Sequence, residues 1–257
     1  MWRILRIAVL LLVLVAVASQ AWLDRTSTRD WSEPLWVGIF PIGADDDPVT
    51  EAYLGALQPT AFEAIEQFFE AEAREYGIDV ERPVHIELYP NPRQHPPELP
   101  AQAGWLRTAA WSLAMRWYAW RVTAAIEGAP PNIRLFVQYH APQRLEVLPH
   151  SLGLSKGLMG VVHAYADRGH EGGNNVVIAH ELLHTLGATD KYDLATLLPL
   201  YPDGYAEPAR EPRHPQPFAE IMAGRRALST REAEMPASLA ETLIGPATAR
   251  EIAWSAP

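Results

Sequence analysis

The stretch NVVIAHELLHTLGATDKYD, residues 175–193, sets Val176, Ala179, Leu183 and Leu186 at helical intervals, so one face of a helix turns toward a core. Asn174 or Asn175 is placed to cap its start. His180 and His184, four residues apart, project side by side from a second face. Two imidazoles at that spacing suit one tetrahedral zinc ion. Glu181, beside the first, is placed to accept a proton from water on such an ion without ligating it. Gly187 suits the left-handed conformation that ends a helix and turns the chain back, letting Asp190 return as a third ligand. Requiring Gly187 and Asp190 as well makes accidental occurrence roughly a hundredfold rarer. The helix is apolar on nearly every other side, and burying two histidines and a glutamate there is costly without a metal or hydrogen bonds. The plainer alternative is a pair of core histidines hydrogen-bonded to carbonyls.

His180, Glu181, His184, Gly187 and Asp190 together read H-E-x-x-H-x-x-G-x-x-D. This pattern resembles the signature of the metzincin zinc metallopeptidases, in the branch with aspartate at the last position. The resemblance implies a zincin-like fold, Zn2+ held by His180, His184 and Asp190, and Glu181 as general base in peptide-bond hydrolysis. It also implies a methionine turn beneath the metal some tens of residues downstream. Met222, in AEIMAG at residues 219–224, is the candidate, with Met235 before Pro236 the alternative. The chain differs from the pattern in having no tyrosine after Met222, no cysteine, and a tryptophan-rich helix. Glu207, Glu211 and Glu220 are alternatives to Asp190, as in zinc peptidases that use a distant glutamate. Tyr192, Tyr201 and Tyr205 lie in a proline-rich loop that either walls a cleft and offers a phenol to an oxyanion, or simply covers the core.

Upstream, residues 35–42 read as a buried strand ending at a Pro-Ile-Gly turn, and Asp45, Asp46 and Asp47 as a loop, solvated or binding a cation. Thr60 is placed to cap a helix carrying Phe62, Ile65, Phe68, Phe69 and Tyr76, with Gly77 as its stop. Residues 84–89 alternate as a second strand, 133–139 as a third and 157–165 as a fourth. Residues 102–127 read as a long helix with Trp111, Met115, Tyr118 and Val122 on one face and Leu113, Trp117, Trp120 and Ala124 on the adjoining one. Core packing is the expected use of both faces, with a membrane or an aromatic ligand the alternatives. The expected fold is α+β, a twisted, mainly four-stranded sheet flanked by helices, with the zinc helix at its centre. The strand at 157–165 is placed to pair an extended polypeptide substrate as an added strand. His163 and His170 have no ligand spacing and read as ordinary polar residues.

The 257 residues include Lys+Arg 21 against Asp+Glu 31, a net charge of -10 that excludes nucleic acid as a partner. With no cysteine, disulfide frameworks and thiolate metal sites are excluded as well. Residues 7–18 are an unbroken apolar run behind Arg3 and Arg6, the pattern of a signal peptide, with Ala16, Val17 and Ala18 forming a small-x-small site. Trp22 and Leu23 lengthen the run toward a membrane anchor, so residues 1–23 read as signal or tether through 7–23, and 24–257 as one domain. The domain is then expected outside the cytoplasmic membrane, exported to the periplasm or beyond it. Two other functions fit the sequence: a non-catalytic cell-surface interaction module, and a zinc amidase acting on cell-wall peptides.

Overall fold

The run LWVGIFPIG has almost no polar alternation, and in the computed structural model it is a strand buried on both faces, β1 (Leu35–Gly43). The structure describes Trp2, Arg6 and residues 30–98, 104–124, 126–145, 147–154 and 158–255. The apolar run at 7–23 lies outside these residues, and no helix among them is long and apolar enough to cross a membrane. With β1 stand β2 (Val84–Leu88), β3 (Ile133–His140), β4 (Leu152–Leu154) and β5 (Met159–Tyr165), in the order β2-β1-β3-β5-β4. β2, β1, β3 and β5 are parallel, while β4 runs antiparallel along β5 as an edge. The architecture is mixed α/β, with a five-stranded mixed sheet where the sequence predicts four strands. The missed strand, β4, is too short to show a period.

Alternation along β1 divides the core. Val37 and Ile39 point to one side, packing with Ile65 and Phe69 of α2 (Glu63–Glu75). Phe40 and Ile42 point to the other, against Met115 and Tyr118 of α3 (Trp105–Thr123), after α1 (Pro48–Ala56) in the chain. The larger core also holds α4 (Glu171–Leu186) and, near the C-terminus, α5 (Pro246–Glu251). The two ends of the described fold close on each other, with Trp31 edge-to-face on Trp254 at 5.3 Å and its indole N–H donated to the Ile252 carbonyl at 2.8 Å.

Local chemistry corrects several expectations. Thr60 caps nothing; Pro59–Phe62 is a 3-10 turn, and the helix starts at Glu63 behind Phe62. α3 spans Trp105–Thr123, inside the expected 102–127, of which 102, 103 and 125 lie outside the described residues. Its Trp111, Met115 and Tyr118 are buried, but Leu113, Trp117 and Trp120 face outward, so core packing accounts for one of the two apolar faces. Of the three aspartates two also bind the backbone, Asp47 accepting the Val49 N–H at the start of α1 and Asp45 the Ala141 N–H just past β3, while Asp46 is exposed as a solvated loop residue.

Glu72 of α2 is half-buried, and desolvation pushes its carboxyl up to about 7, although it accepts the Ile244 N–H at 2.7 Å. An unfolded glutamate ionises at about 4.3, so between the two values the folded chain binds the extra proton and stability falls as pH rises. Below the unfolded value the contribution is whole, and above about 7 it is lost. Glu72→Gln removes the titration. Its melting temperature should therefore gain on the parent's between pH 5 and pH 8, and thermal scans showing parallel profiles would disprove the assignment.

Candidate metal centre

α4 begins at Glu171 after a 3-10 turn, with His170 at its N-cap position, so neither Asn174 nor Asn175 caps it. Both asparagines lie inside the helix and fix its place. Asn174 clips the Tyr165 backbone, accepting its N–H at 3.0 Å and donating to its carbonyl at 2.9 Å. Asn175 donates to the Ala61 carbonyl at 2.8 Å. Val176, Ala179, Leu183 and Leu186 are buried as the periodicity requires, and Gly187, at φ 102°, ends the helix in the left-handed region.

The turn made by Gly187 brings Ala188 back to the helix, where its carbonyl lies 2.9 Å from His184 Nδ1. The Ile221 carbonyl stands 2.9 Å from His180 Nδ1. A carbonyl only accepts, so each Nδ1 carries its ring's proton and each neutral ring presents an Nε2 lone pair. The carbonyl-bonded core histidines of the plainer reading are thus present, but each bond uses one nitrogen only. The other two converge: Asp190 Oδ1 lies 3.2 Å from His180 Nε2 and 3.1 Å from His184 Nε2. Two lone pairs and a carboxylate oxygen at that distance repel unless a cation or protons lie between them. Protons are one answer. Burial opposes a charge on His184, yet the Asp190 hydrogen bond and the Glu181 charge prevail and raise its pKa. Burial likewise opposes ionisation of Asp190, but hydrogen bonds from His180 and His184 hold its carboxyl well below the usual range. A divalent cation is the other answer, and the donor set of two imidazoles and a carboxylate fits zinc.

Ligand atoms of His180, Glu181 and His184 lie within 4.8 Å of one another. Glu181 is buried, its pKa is raised chiefly by desolvation, and its Oε2 has no hydrogen-bond partner. A buried carboxylate oxygen without a partner in an otherwise satisfied helix is unexplained by packing. The edge strand lies directly over it. A Cβ on Gly153 would stand 2.4 Å from the Glu181 carbonyl and 2.5 Å from His184 Cβ, so only glycine admits this approach.

Met222 is fully buried in the turn Ile221–Ala223, the turn whose Ile221 carbonyl holds His180. Its own carbonyl accepts the Lys191 N–H at 2.9 Å, tying the turn to the residue after Asp190. Met235 is half exposed. Of the alternative ligands, Glu220 is consumed by the Ala223 and Gly245 N–H groups and the Thr248 hydroxyl. Glu207 pairs with Arg210 at 3.1 Å, and Glu211 is exposed. Asp190 alone of the four candidates stands beside the histidines.

His180 and Glu181 open on a cavity of about 440 Å³ whose walls include His163, Tyr165, Tyr192 and Arg225. Tyr201 lines a different cavity, and the Tyr205 hydroxyl lies 3.1 Å from His214. His163, expected to be an ordinary polar residue, stands with its Nδ1 2.9 Å from His140 Nε2, and burial lowers its pKa to about 4. The outer edge of β5 is not free for a substrate: β4 pairs with Met159–Val161, Ser151 Oγ accepts the His163 N–H and Asn174 holds Tyr165. Compared with known protein families and with curated proteins, the chain matches none.

Asp190→Ala should lose zinc on dialysis against a mild chelator, Asp190→His should recover part of it, and Glu207→Ala should keep the full stoichiometry. Zinc retained by Asp190→Ala and lost by Glu207→Ala would assign the third ligand elsewhere.

Proposed function

We propose that the chain is a zinc metallopeptidase of metzincin-like type, exported or tethered to the outer side of a membrane. One observation carries this reading. Two imidazoles oriented by carbonyls meet one Asp190 oxygen, beside a buried Glu181 carboxylate whose Oε2 has no hydrogen-bond partner, on a cavity wall. The five-stranded sheet with an antiparallel edge, the helix behind that edge and the Met222 turn under His180 support a zincin-like fold.

His180, His184 and Asp190 would hold the ion. Zinc bound there supplies Lewis acidity, which makes water a competent nucleophile at neutral pH. Glu181 accepts the water's proton on its carboxylate as the carbonyl is attacked, and then delivers it to the departing amine. Its raised pKa suits both halves of that exchange, since a carboxylate too weakly basic would not take the proton. Tyr192, on the same wall, presents a phenol as donor to the developing oxyanion. Because β5 is filled, an extended peptide pairs instead with the outer edge of β4, which has no strand beside it among the described residues.

Glu181→Gln keeps size and hydrogen-bonding capacity while removing the base. Peptide hydrolysis by the zinc-loaded protein should fall by about two to four orders of magnitude, with zinc content and melting temperature little changed. Cleavage of a peptide library at the parental rate would refute the role of Glu181.

A further inference from the structure

α3 covers the second face of the sheet with Trp111, Met115 and Tyr118, and its opposite side is exposed, with nothing packed on it among the described residues. Trp105, Leu106, Leu113, Trp117 and Trp120 are 79%, 64%, 62%, 57% and 65% exposed. At helical pitch, Ala109, Trp120, Leu113, Leu106, Trp117 and Ala110 fill one continuous arc of about 100°. Arg116 borders the arc on one side, and Arg121 and Arg107 on the other. Arg121 lies over the Trp117 ring at 5.0 Å. From Trp105 to Thr123 there is no acidic residue, in a chain whose net charge is -10.

From this arrangement we propose that α3 is a membrane-docking helix that lies in the surface of an anionic phospholipid bilayer. Independently of the metal centre, charge complementarity selects this occupant. Basic residues flanking a tryptophan-rich apolar arc place cations at phosphate level and rings at the acyl boundary. A second copy of the chain would bring a face of the same positive sign against this one, which disfavours pairing through α3. Docking there brings the domain down on the side of the sheet remote from α2, so α2 stays in water.

The absence of cysteine makes a single introduced thiol a unique label site. Leu113→Cys, with Ala110→Cys as a second position on the arc and Gln67→Cys on exposed α2 as control, would carry an environment-sensitive nitrobenzoxadiazole dye in the full-length chain. The labelled proteins would be reconstituted in vesicles of phosphatidylcholine and phosphatidylglycerol containing nitroxide lipid. Arc labels should be quenched about threefold more than the control, and the excess should vanish in Arg107→Glu/Arg121→Glu or in phosphatidylcholine alone. The control shares any tether through the N-terminus, so quenching from mere proximity would appear in both. Equal quenching at arc and control positions would overturn the proposal. So would arc labels already shielded before lipid is added, the sign of cover by the chain itself, or shielded in step with protein concentration, the sign of self-association.

Discussion

Each of two backbone carbonyls, 2.9 Å from a histidine Nδ1, fixes which nitrogen His180 and His184 turn toward Asp190, and much of the surrounding structure serves to place those two oxygens. The Ala188 carbonyl depends on Gly187, because the left-handed turn at φ 102° folds the chain back over the last turn of α4. The Ile221 carbonyl depends on a turn closed by Glu220, a fully buried carboxylate held by two backbone N–H groups and the Thr248 hydroxyl. Three donors offset a desolvation that would otherwise make such burial prohibitive. Lys191 completes the frame. Its N–H binds the Met222 carbonyl and its ammonium meets Glu251 at 2.7 Å, so the segment carrying Asp190 is pinned to both the turn and α5.

The sheet supplies the opposite wall. Asn174 reads the backbone of Tyr165 at the end of β5, and this sets the height of α4 along the sheet. Gly153 then lets the edge strand β4 settle on the backbone of Glu181. The consequence is a carboxylate shut away from bulk water, open toward one cavity, and raised in pKa by that seclusion.

The parts of this arrangement carried by local periodicity were legible in the sequence. The buried stripe Val176, Ala179, Leu183 and Leu186, the i, i+4 histidines, the helix stop at Gly187 and the strands β1, β2 and β3 all follow from spacing within a few residues. What depends on contacts between distant segments was not. The His140–His163 pair exists because β3 and β5 run in parallel register, 23 residues apart in sequence. Leu152–Leu154 becomes a strand only because the edge of β5 is there to pair with it. Asn174 has the composition of a cap, but a strand end competes successfully for its side chain. The two apolar faces of α3 are equally visible in sequence, and nothing in the period tells which one the sheet will cover.

On the proposed reading, His180, His184 and Asp190 together form one metal centre. X-ray absorption spectroscopy at the zinc edge, on the full-length chain after exhaustive dialysis, tests it most directly. The expected spectrum shows a four-coordinate nitrogen and oxygen shell at about 2.0–2.2 Å, two imidazoles in the outer scattering and no sulfur. A six-coordinate all-oxygen shell, or a spectrum with fewer than two imidazoles, would contradict it.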